Sequence, residues 1–511
     1  MRRWRRAGLA GRAVLALAAF ALVSAKPVRL PSREPDAEIE TALRSAIETL
    51  ASDDFDGRKP GTEGETKTLR YLVRQWFDMG LVSGTNDPGH DWFAPVELVE
   101  RDPVTSRAVF MRGKRRIPAS SDDIYVVTSG LRGLVGNAPV LFVGTGEGQV
   151  PPRSELAGRV AMILAGPDEG GAANSLAERQ GRLLDGGAAA VLTVLDGKRT
   201  IADIAAARAR AGYALAGGRG DGDLEAFVTP AFAETLLAGE AAGSLSALRA
   251  AAARPTFVPR VLHLSVSLEA ANRETRVLTH NLIARLPGRR PQDGAVLVVA
   301  HWDHLGECAP SSPTDRICNG AVDNASGLAV ITEAARILVR GRPLDRDVYF
   351  VATTAEEMGM LGAFAFADNP PLPLDHIVAA FNVDSDAIAA KGGPFAIVGK
   401  GMTGLDPGIE RVAAAMKRRI DPGDDANSYV KRQDIWAFVQ HDVPSVMVST
   451  AYADRKRLDR FMAEDYHKPG DAYSPAMDLG GAVDDVNMLV ELVREFSDAK
   501  RWPGRSAPPA N

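Results

Sequence analysis

Several features that define whole classes of protein are scarce in this sequence. Its 511 residues include only two cysteines, so at most one disulfide can form within the chain. After residue 25 no apolar run is long enough to cross a bilayer. Acidic residues outnumber basic ones by 65 to 60, so neither nucleic acid nor an anionic lipid surface is expected as the main partner. The chain is too long for one ordinary domain and is long enough to bury a large core.

A phosphate-binding loop is also missing. The polar, glycine-rich stretch from Asp53 to Gly64 could be mistaken for one, but it lacks the Gly-Lys-Ser/Thr ending and no apolar strand precedes it. Predicted helices flank this stretch, from Asp36 to Leu50 and from Glu65 to Met79. Nothing here predicts a nucleotide-binding protein.

The first 25 residues have the pattern of a secretory signal peptide. Five arginines precede an apolar core from Ala13 to Val23, and Val23-Ser24-Ala25 fits a small-residue cleavage site. Cleavage would leave 55 basic against 65 acidic residues, a net charge of −10. An uncleaved membrane anchor is the alternative, although the apolar core is short for a span. We therefore expect an exported protein, periplasmic or extracellular, without stable membrane insertion after cleavage.

The most informative stretch is a predicted strand that ends close to two adjacent carboxylates. Val348 to Thr353 is rich in β-branched and aromatic residues, which is typical of a buried parallel strand. Glu356 and Glu357 follow it, and ligands of open α/β sheets bind outside the carboxyl ends of such strands. Two neighbouring glutamates repel each other unless a cation is close. A metal with one glutamate as ligand and the other as base is one interpretation, and a solvated acidic turn is the alternative.

Other predicted strands end in the same way. The apolar run 295–300 leads into His301, and Asp303 two residues later could hold the second ring nitrogen of that histidine. The run 377–383 leads into Asp384. These residue types, repeated at strand ends, favour a metal site over a solvated surface.

Two further polar positions lie outside strands. Asp323 comes just before a predicted helix from Leu328 to Val339, where it or Asn324 could simply cap the helix. His467 lies in a turn-rich loop near the C-terminus.

Taken in order, these motifs resemble metallopeptidase family 28. They are His-x-Asp after a strand, Gly-Ala-x-Asp-Asn-Ala-Ser-Gly, Glu-Glu-x-Gly-x-Leu-Gly, Asn-x-Asp and a late Tyr-His-x-Pro-x-Asp. That family consists of co-catalytic di-zinc exopeptidases, including bacterial leucyl-type aminopeptidases, with glutamate carboxypeptidases and glutaminyl cyclases as relatives. The resemblance covers the N-terminal lead-in and the chain from Asn281 to about Ser497, and it depends on all five motifs in order.

The resemblance implies a site for two zinc ions, with Asp323 bridging them. His301 and Asp384 would complete the ligands of one ion, and Glu357 and His467 those of the other. A carboxylate bridge partly neutralises two close dications, and imidazole nitrogen suits zinc as a borderline-soft ion.

The resemblance also implies roles for two residues that are not ligands. Glu356 would be the general base, which takes a proton from water and passes it to the leaving amine. Asp303 would orient His301. Two zinc ions about 3.5–4 Å apart share a water, lower its pKa and polarise the scissile carbonyl.

The sequence departs from the family in places. Asp384 is followed by Ser385 and Asp386, so Asp386 is a rival ligand. Residues 427–436, which border the substrate in the family, carry Gln433-Asp434-Ile435 where relatives often have Ser-Asp-His, and this bears on specificity. His304 lies one residue past its motif and is expected to be structural or exposed.

The two cysteines, Cys308 and Cys318, both lie in the loop between His301 and Asp323. In an exported protein they could form a disulfide that stiffens this loop. Two free thiols are the alternative.

The fold is predicted to be α/β, with a central mixed, mostly parallel sheet flanked by helices and a smaller inserted α/β domain. The insert resembles the protease-associated domain, and it would shape access to the cleft, support oligomers or be purely structural. The predicted segments are 1–25 signal peptide, 26–100 N-terminal part of the catalytic domain, 101–274 insert, 275–500 catalytic domain and 501–511 disordered tail.

The predicted activity is that of an exported zinc aminopeptidase, which hydrolyses the N-terminal peptide bond of peptides through a metal-bridged hydroxide. Its partners would be peptides with a free N-terminus. A carboxypeptidase or dipeptidase of the same family is the main alternative, and it would need cationic residues for the substrate carboxylate. A glutaminyl cyclase and a non-catalytic binding protein are further alternatives, but a degenerate site would have lost a ligand or the base, and all six positions are filled here.

Overall fold

A computed structural model describes residues 34–166, 175–210, 212–217, 222–241, 243–309, 312 and 314–504. The predicted signal peptide and residues 505–511 of the predicted tail lie outside this part of the chain. From Pro35 onward the chain forms one compact unit. None of the helices in the described ranges has the length and apolarity that a bilayer crossing requires.

Helices and strands alternate along the chain. The helices are α1 (Asp36–Leu50), α2 (Glu63–Asp78), α3 (Arg153–Leu156), α4 (Leu176–Asp185), α5 (Ile201–Arg210), α6 (Pro230–Leu237), α7 (Leu245–Ala252), α8 (Gly327–Arg340), α9 (Leu361–Asp368), α10 (Asp406–Ala415), α11 (Ile435–Gln440), α12 (Arg455–Glu464) and α13 (Gly480–Ser497). The strands are β1 (Val82–Ser83), β2 (Phe93–Arg112), β3 (Arg115–Ile117), β4 (Ile124–Thr128), β5 (Arg132–Phe142), β6 (Val160–Leu164), β7 (Ala190–Val194), β8 (Tyr213–Leu215), β9 (Leu224–Val228), β10 (Arg260–Leu286), β11 (Ala295–His301), β12 (Gly306–Glu307), β13 (Ile317–Cys318), β14 (Asp347–Thr353), β15 (Ile377–Asn382), β16 (Ala396–Val398) and β17 (Ser445–Ser449).

The strands predicted around the site lie side by side in one sheet, in the order β16-β17-β15-β11-β14-β10. The pairs β17 with β15, β15 with β11, and β11 with β14 are parallel, whereas β16 and β10 pair antiparallel at either side. This confirms the predicted α/β class with a mixed, mostly parallel central sheet.

Alternate residues of the central strands face two different helical layers. Val296, Val298 and Ala300 of β11 belong to the core that contains α1, α8 and α13, whereas Leu297 and Val299 belong to the core that contains α9 and α11. Side chains of a strand point to opposite faces at successive residues. Because both faces are covered, the strand sequence is apolar throughout instead of alternating, as expected for buried parallel strands.

The region predicted as an insert has its own strands and helices, and two long strands connect it to the catalytic part. The parallel strands β5, β6, β7 and β9 neighbour one another there. Strand β2 and the 27-residue strand β10 pair antiparallel from Phe93 to Met111, across both predicted borders. The border positions therefore lie inside a continuous ladder, and the division into domains stays a prediction.

A further contact joins the region predicted as an insert to the segment 427–436. Lys431 lies 2.7 Å from the carboxylate of Glu178 on α4, and its ammonium is 5.2 Å from the Trp436 ring centroid. This contact brings the insert to the segment 427–436.

The C-terminal end differs from the prediction at one residue. Trp502, which the sequence places in a disordered tail, is only 7% exposed and packs on Phe496, with 4.6 Å between ring centroids. The proline-rich composition of the tail gave no sign that Trp502 is buried. Its packing depends on α13 and α10, which lie outside the tail.

Candidate metal centre

The strand ends predicted to carry the site lie at one edge of the central sheet. His301 pairs in register with Thr353, and Val299 pairs with Asn382. The carboxyl ends of three parallel strands therefore meet, and Glu356, Glu357 and Asp384 follow two of them directly. This is the crevice in which open α/β sheets bind ligands.

Asp323 lies between two histidines. One of its carboxylate oxygens is 3.2 Å from Nε2 of His301, and the other is 3.3 Å from Nε2 of His467. The peptide bond between Asp323 and Asn324 is cis. Asp323 does not cap α8 with its side chain, because the N–H of Gly327 is bonded by Asn324 at 3.0 Å instead.

Each histidine also contacts a second carboxylate. Nε2 of His301 lies 3.5 Å from Asp384, and Nε2 of His467 lies 2.8 Å from Glu357. The result is two groups of ligand-type atoms that share Asp323, with one histidine and one further carboxylate in each. The structure thus brings together all five residues that the resemblance implied as ligands.

The ligand-type atoms of this centre are better suited to coordinate a metal ion than to form hydrogen bonds with one another. Nε2 of His301, Nε2 of His467 and Oε1 of Glu357 are buried and have no hydrogen-bond partner within the described chain. Buried polar atoms are normally hydrogen-bonded, so these atoms point to a missing partner. Imidazole nitrogen and carboxylate oxygen are ligands of zinc. The residues present therefore fit a zinc pair at this position.

His304 lies at this centre, and its burial excludes the exposed side chain that was one of the two expectations for it. It is fully buried, its Nδ1 lies 2.6 Å from Oε1 of Glu357, and both ring nitrogens lack a hydrogen bond within the described residues. With Asp323 and Glu357 it forms a second group that could hold a metal ion. Its position three residues after His301 was a signal in the sequence, but the direction of its ring depends on the folded loop.

Asp303 connects His301 to the predicted base. Its backbone carbonyl accepts the Nδ1–H of His301 at 3.1 Å, whereas its carboxylate lies 3.8 Å from the same nitrogen. The carboxylate accepts the backbone N–H of Glu356 at 3.0 Å. The histidine is therefore oriented by the main chain of Asp303, and the carboxylate positions the backbone of Glu356.

Asn324 ties the Asp323 loop to the end of β15. Its side-chain N–H donates to the carbonyl of Val383 at 3.0 Å, and its carbonyl accepts the N–H of Ser385 at 3.2 Å. A Cβ at Gly327 would lie 2.2 Å from the Asn324 amide oxygen, so only glycine fits there.

Arg58 holds the same region from the N-terminal side, and sequence reasoning missed it. Its fully buried guanidinium donates to the backbone carbonyls of Trp302, Leu50, Asn319 and Gly320 at 2.6–3.0 Å. Burial lowers the pKa of Arg58 to about 10, so it remains charged at neutral pH. One side chain thus fixes the loops that follow β11 and that precede Asp323.

The carboxylates of the centre have opposite electrostatic settings. Burial opposes ionisation of Asp323, but the close imidazoles of His301 and His467 hold its pKa well below the usual range. Burial raises the pKa of Glu356 well above its usual range, although His301 opposes this. The pKa values of Asp323 and Glu356 are thus shifted in opposite directions. Such a difference is expected between a metal ligand, which stays ionised, and a base, which can hold a proton.

The remaining predicted positions lie nearby. Cys308 and Cys318 are joined by a disulfide in the loop between His301 and Asp323. Asp386 accepts the hydroxyl of Ser449 at 2.7 Å and is absent from the metal-binding groups found in the described residues. The structure therefore favours Asp384 over Asp386 as the ligand-type residue at the end of β15.

Comparison with known proteins adds three findings. Residues 281–489 match the model of peptidase family M28. Aminopeptidase YwaD from Bacillus subtilis (strain 168) is 35% identical over 96 residues, which cover 19% of this chain and 19% of that protein. A probable zinc metalloprotease from Pyrenophora tritici-repentis (strain Pt-1C-BFP) is 34% identical over 105 residues, which cover 20% of this chain and 23% of that protein. The aligned part spans about a fifth of the length of these curated relatives.

A solved structure shares the fold over nearly the whole chain. The aminopeptidase from Aneurinibacillus sp. strain AM-1 superposes with a TM-score of 0.54 at 17% identity, covering 93% of this chain and 98% of that one. The similarity therefore extends through the central sheet and through the region predicted as an insert.

Proposed function

We propose that the protein is a zinc-dependent aminopeptidase, because residues 281–489 match the model of peptidase family M28 and the centre holds the ligand-type residues of such an enzyme. The observation that supports it best is the position of Asp323, whose two carboxylate oxygens lie 3.2 and 3.3 Å from the ring nitrogens of His301 and His467. One carboxylate between two histidines, each with its own second carboxylate, suits a pair of metal ions and not one.

His301, Asp323 and Asp384 would hold one zinc ion, and Asp323, Glu357 and His467 the other. Zinc ions bound there would supply Lewis acidity toward the scissile carbonyl and lower the pKa of a water. His304, which contacts Glu357 and not the Asp384 side, would either orient that ligand or join the second group.

Glu356 would move the proton. Its ionised carboxylate would take a proton from the attacking water and deliver it to the nitrogen of the leaving amine. Burial favours the protonated form of Glu356 once the proton has arrived. The hydrogen bond between Asp303 and the Glu356 backbone fixes the position of the base during both transfers.

A substrate panel with metal analysis tests this function. We expect about two zinc per chain, hydrolysis of aminoacyl anilides with a free amine, and no hydrolysis of their N-acetylated counterparts. If the protein bound two zinc ions but released only C-terminal residues, its activity would be that of a carboxypeptidase and not of an aminopeptidase. Absence of bound metal in protein purified without chelator would contradict the proposal altogether.

We also propose that the protein is exported. The support is the pattern of residues 1–25, with five arginines before an apolar core and a small-residue site at Ala25. N-terminal sequencing of protein recovered from the periplasm or medium should begin at Lys26. Recovery of the chain with Met1 from the cytoplasm would contradict this.

A further inference from the structure

A group of three tyrosines and two arginines lies directly beside His467. We call it the tyrosine-arginine cluster; its members are Tyr429, Tyr452, Tyr466, Arg432 and Arg455. Tyr466 stacks on His467 with 3.7 Å between ring centroids. Arg432 lies over both Tyr466 and Tyr429, at 5.9 and 5.6 Å from the ring centroids. Arg455 lies over Tyr429 at 5.8 Å, and Tyr452 packs edge-on against Tyr429 at 5.0 Å.

The two guanidinium groups of this cluster have no negative partner. Neither Arg432 nor Arg455 forms an ion pair in the part of the chain that the structure describes. Nearby basic residues do: Arg457 lies 3.0 Å from Asp478, and Lys431 lies 2.7 Å from Glu178. Arg432 and Arg455 therefore differ from these two neighbours in having no carboxylate partner among the described residues.

The tyrosines do not neutralise this charge. A tyrosine phenol ordinarily has a pKa of about 10 and is uncharged at neutral pH. The phenols therefore do not neutralise the guanidinium groups, and a cation over a neutral ring is only weakly stabilised at exposed sites. Arg432 is exposed and Arg455 half-buried, so a ligand can reach them. Accessible guanidinium groups that no carboxylate already pairs with are suited to bind a carboxylate with two parallel hydrogen bonds.

The cluster lies at the right distance from the metal centre for a second group of the substrate. Two short steps separate Arg432 from His467: 5.9 Å from its guanidinium carbon to the Tyr466 ring, and 3.7 Å from that ring to the imidazole. An extended peptide advances about 3.3–3.6 Å per residue. A carboxylate one or two residues beyond the scissile bond therefore matches this span.

We propose that Arg432 and Arg455 bind a carboxylate on the leaving-group side of the substrate. The protein then prefers peptides that carry this charge one or two residues after the cleaved bond, either as the free C-terminus of a di- or tripeptide or as an acidic side chain. This inference rests on the proposed aminopeptidase activity and adds its substrate class. It also supplies the cationic residues that were missing from the sequence argument for dipeptides.

Paired substrates test the inference. Leucyl-alanine against leucyl-alanine amide measures the contribution of a C-terminal carboxylate, and leucyl-aspartate amide against leucyl-asparagine amide measures that of a side chain. Leucine anilide, which has neither, reports the basal activity. We expect kcat/KM at least ~10-fold higher for the charged member of one pair, mainly through KM, since charge-assisted hydrogen bonds contribute on this scale. The pair that shows the difference identifies which carboxylate is bound.

Variants assign the effect to the cluster. Arg432→Gln and Arg455→Gln should each lower the preference toward unity while leaving leucine anilide hydrolysis unchanged, and Arg432→Lys should restore part of it. Arg460→Gln, which removes an exposed charge from the same helix α12, is the matched control and should keep the preference. Equal rates on both members of both pairs in the wild type, or a preference that survives both substitutions, would overturn the inference. No hydrolysis of leucine anilide by the zinc-loaded wild type would instead overturn the proposed function, and this inference with it.

Discussion

Asp471 holds the backbone of Asp323 in place. One oxygen of its carboxylate accepts the N–H of Asp323 at 3.0 Å, and the other accepts the N–H of Val322 at 2.8 Å. The residue that would bridge two metal ions is therefore fixed through its main chain by a side chain 148 positions later. Asp471 ends the motif that contains His467, so both sides of the second metal group depend on one loop.

Replacement of Asp471 by asparagine should weaken metal binding. An amide can accept only one of the two N–H groups, and its own N–H₂ would face the other donor. Changes to groups that support metal ligands typically cost about 10–100-fold in metal affinity. Zinc affinity measured by competition with a chelator should fall by this factor, whereas Asp459→Asn on the surface of α12 should have no effect. Unchanged affinity would mean that the Asp323 loop holds its shape without Asp471.

The two adjacent glutamates should give opposite results. Glu356→Gln removes the base and should lower kcat by about 10²–10⁴-fold with zinc content preserved, because the hydrogen bond from its backbone to Asp303 remains. Glu357→Gln removes a ligand-type carboxylate and should lower zinc content first. Metal analysis and kcat on the same preparations distinguish the two. A Glu356→Gln enzyme with near wild-type kcat would refute its role as the base.

Arg58→Met should destabilise the protein strongly. Methionine fills much of the space but leaves four buried carbonyls without their donor. A buried acceptor left without its donor typically costs about 1–3 kcal/mol in the free energy of unfolding, and several are left here at once. Urea unfolding of the metal-free protein would measure it. Arg107→Met, at a side chain 76% exposed, should change stability by less than about 1 kcal/mol, and an equal effect of both would contradict the account of Arg58.

Stability should fall with rising pH because of a buried carboxyl outside the metal centre. Burial raises the pKa of Asp485 well above 3.8, and the neighbouring Asp386 raises it further. The folded protein then binds a proton that the unfolded chain has released, so the free energy of unfolding decreases as pH increases above about 4. The slope for one such proton is at most about 1.4 kcal/mol per pH unit.

Asp485→Asn removes this titration. The amide can still accept the N–H of Thr450, and its N–H₂ can donate to the Thr450 hydroxyl. The variant should therefore be more stable than the wild type at pH 8, with a smaller difference at pH 5, in urea unfolding of the metal-free protein. A difference that does not change with pH would show that Asp485 is ionised in the folded state or that its proton plays no part.

Much of the catalytic sheet could be predicted from the sequence, because both of its faces are covered. Buried parallel strands are continuous apolar runs, and β11, β14 and β15 begin and end within a few residues of the predicted segments. The ligand-type residues could also be found, since four of them follow a strand or precede a helix and His467 lies in a motif of the family. The orientation of His304 could not, because it depends on a loop that packs against Gly320, where an added Cβ would lie 2.7 Å from the His304 ring.

Arg58 and Arg432 show why the rest was out of reach. A buried arginine is rare, and the partners of Arg58 are backbone carbonyls up to 262 positions away, so no side chain in the sequence marks them. Arg432 lies in a segment that departs from the family pattern. Its proposed role depends on tyrosines that only the fold brings close to it. Sequence patterns indicate which face of a helix or strand is buried. They do not indicate which groups a charged side chain contacts in the folded protein.

The ladder formed by β2 and β10 also constrains how this protein can change length over evolution. Successive residues of a strand face opposite sides, so adding or removing one residue from both strands would turn every outward side chain of the ladder inward, whereas a change of two residues preserves the pattern. The one register shift in the ladder, between Ala271 and Asn272, already absorbs a single extra residue. The number of residues in the β2–β10 ladder should therefore differ between relatives in steps of two. Differences of a single residue should be confined to the position of that register shift.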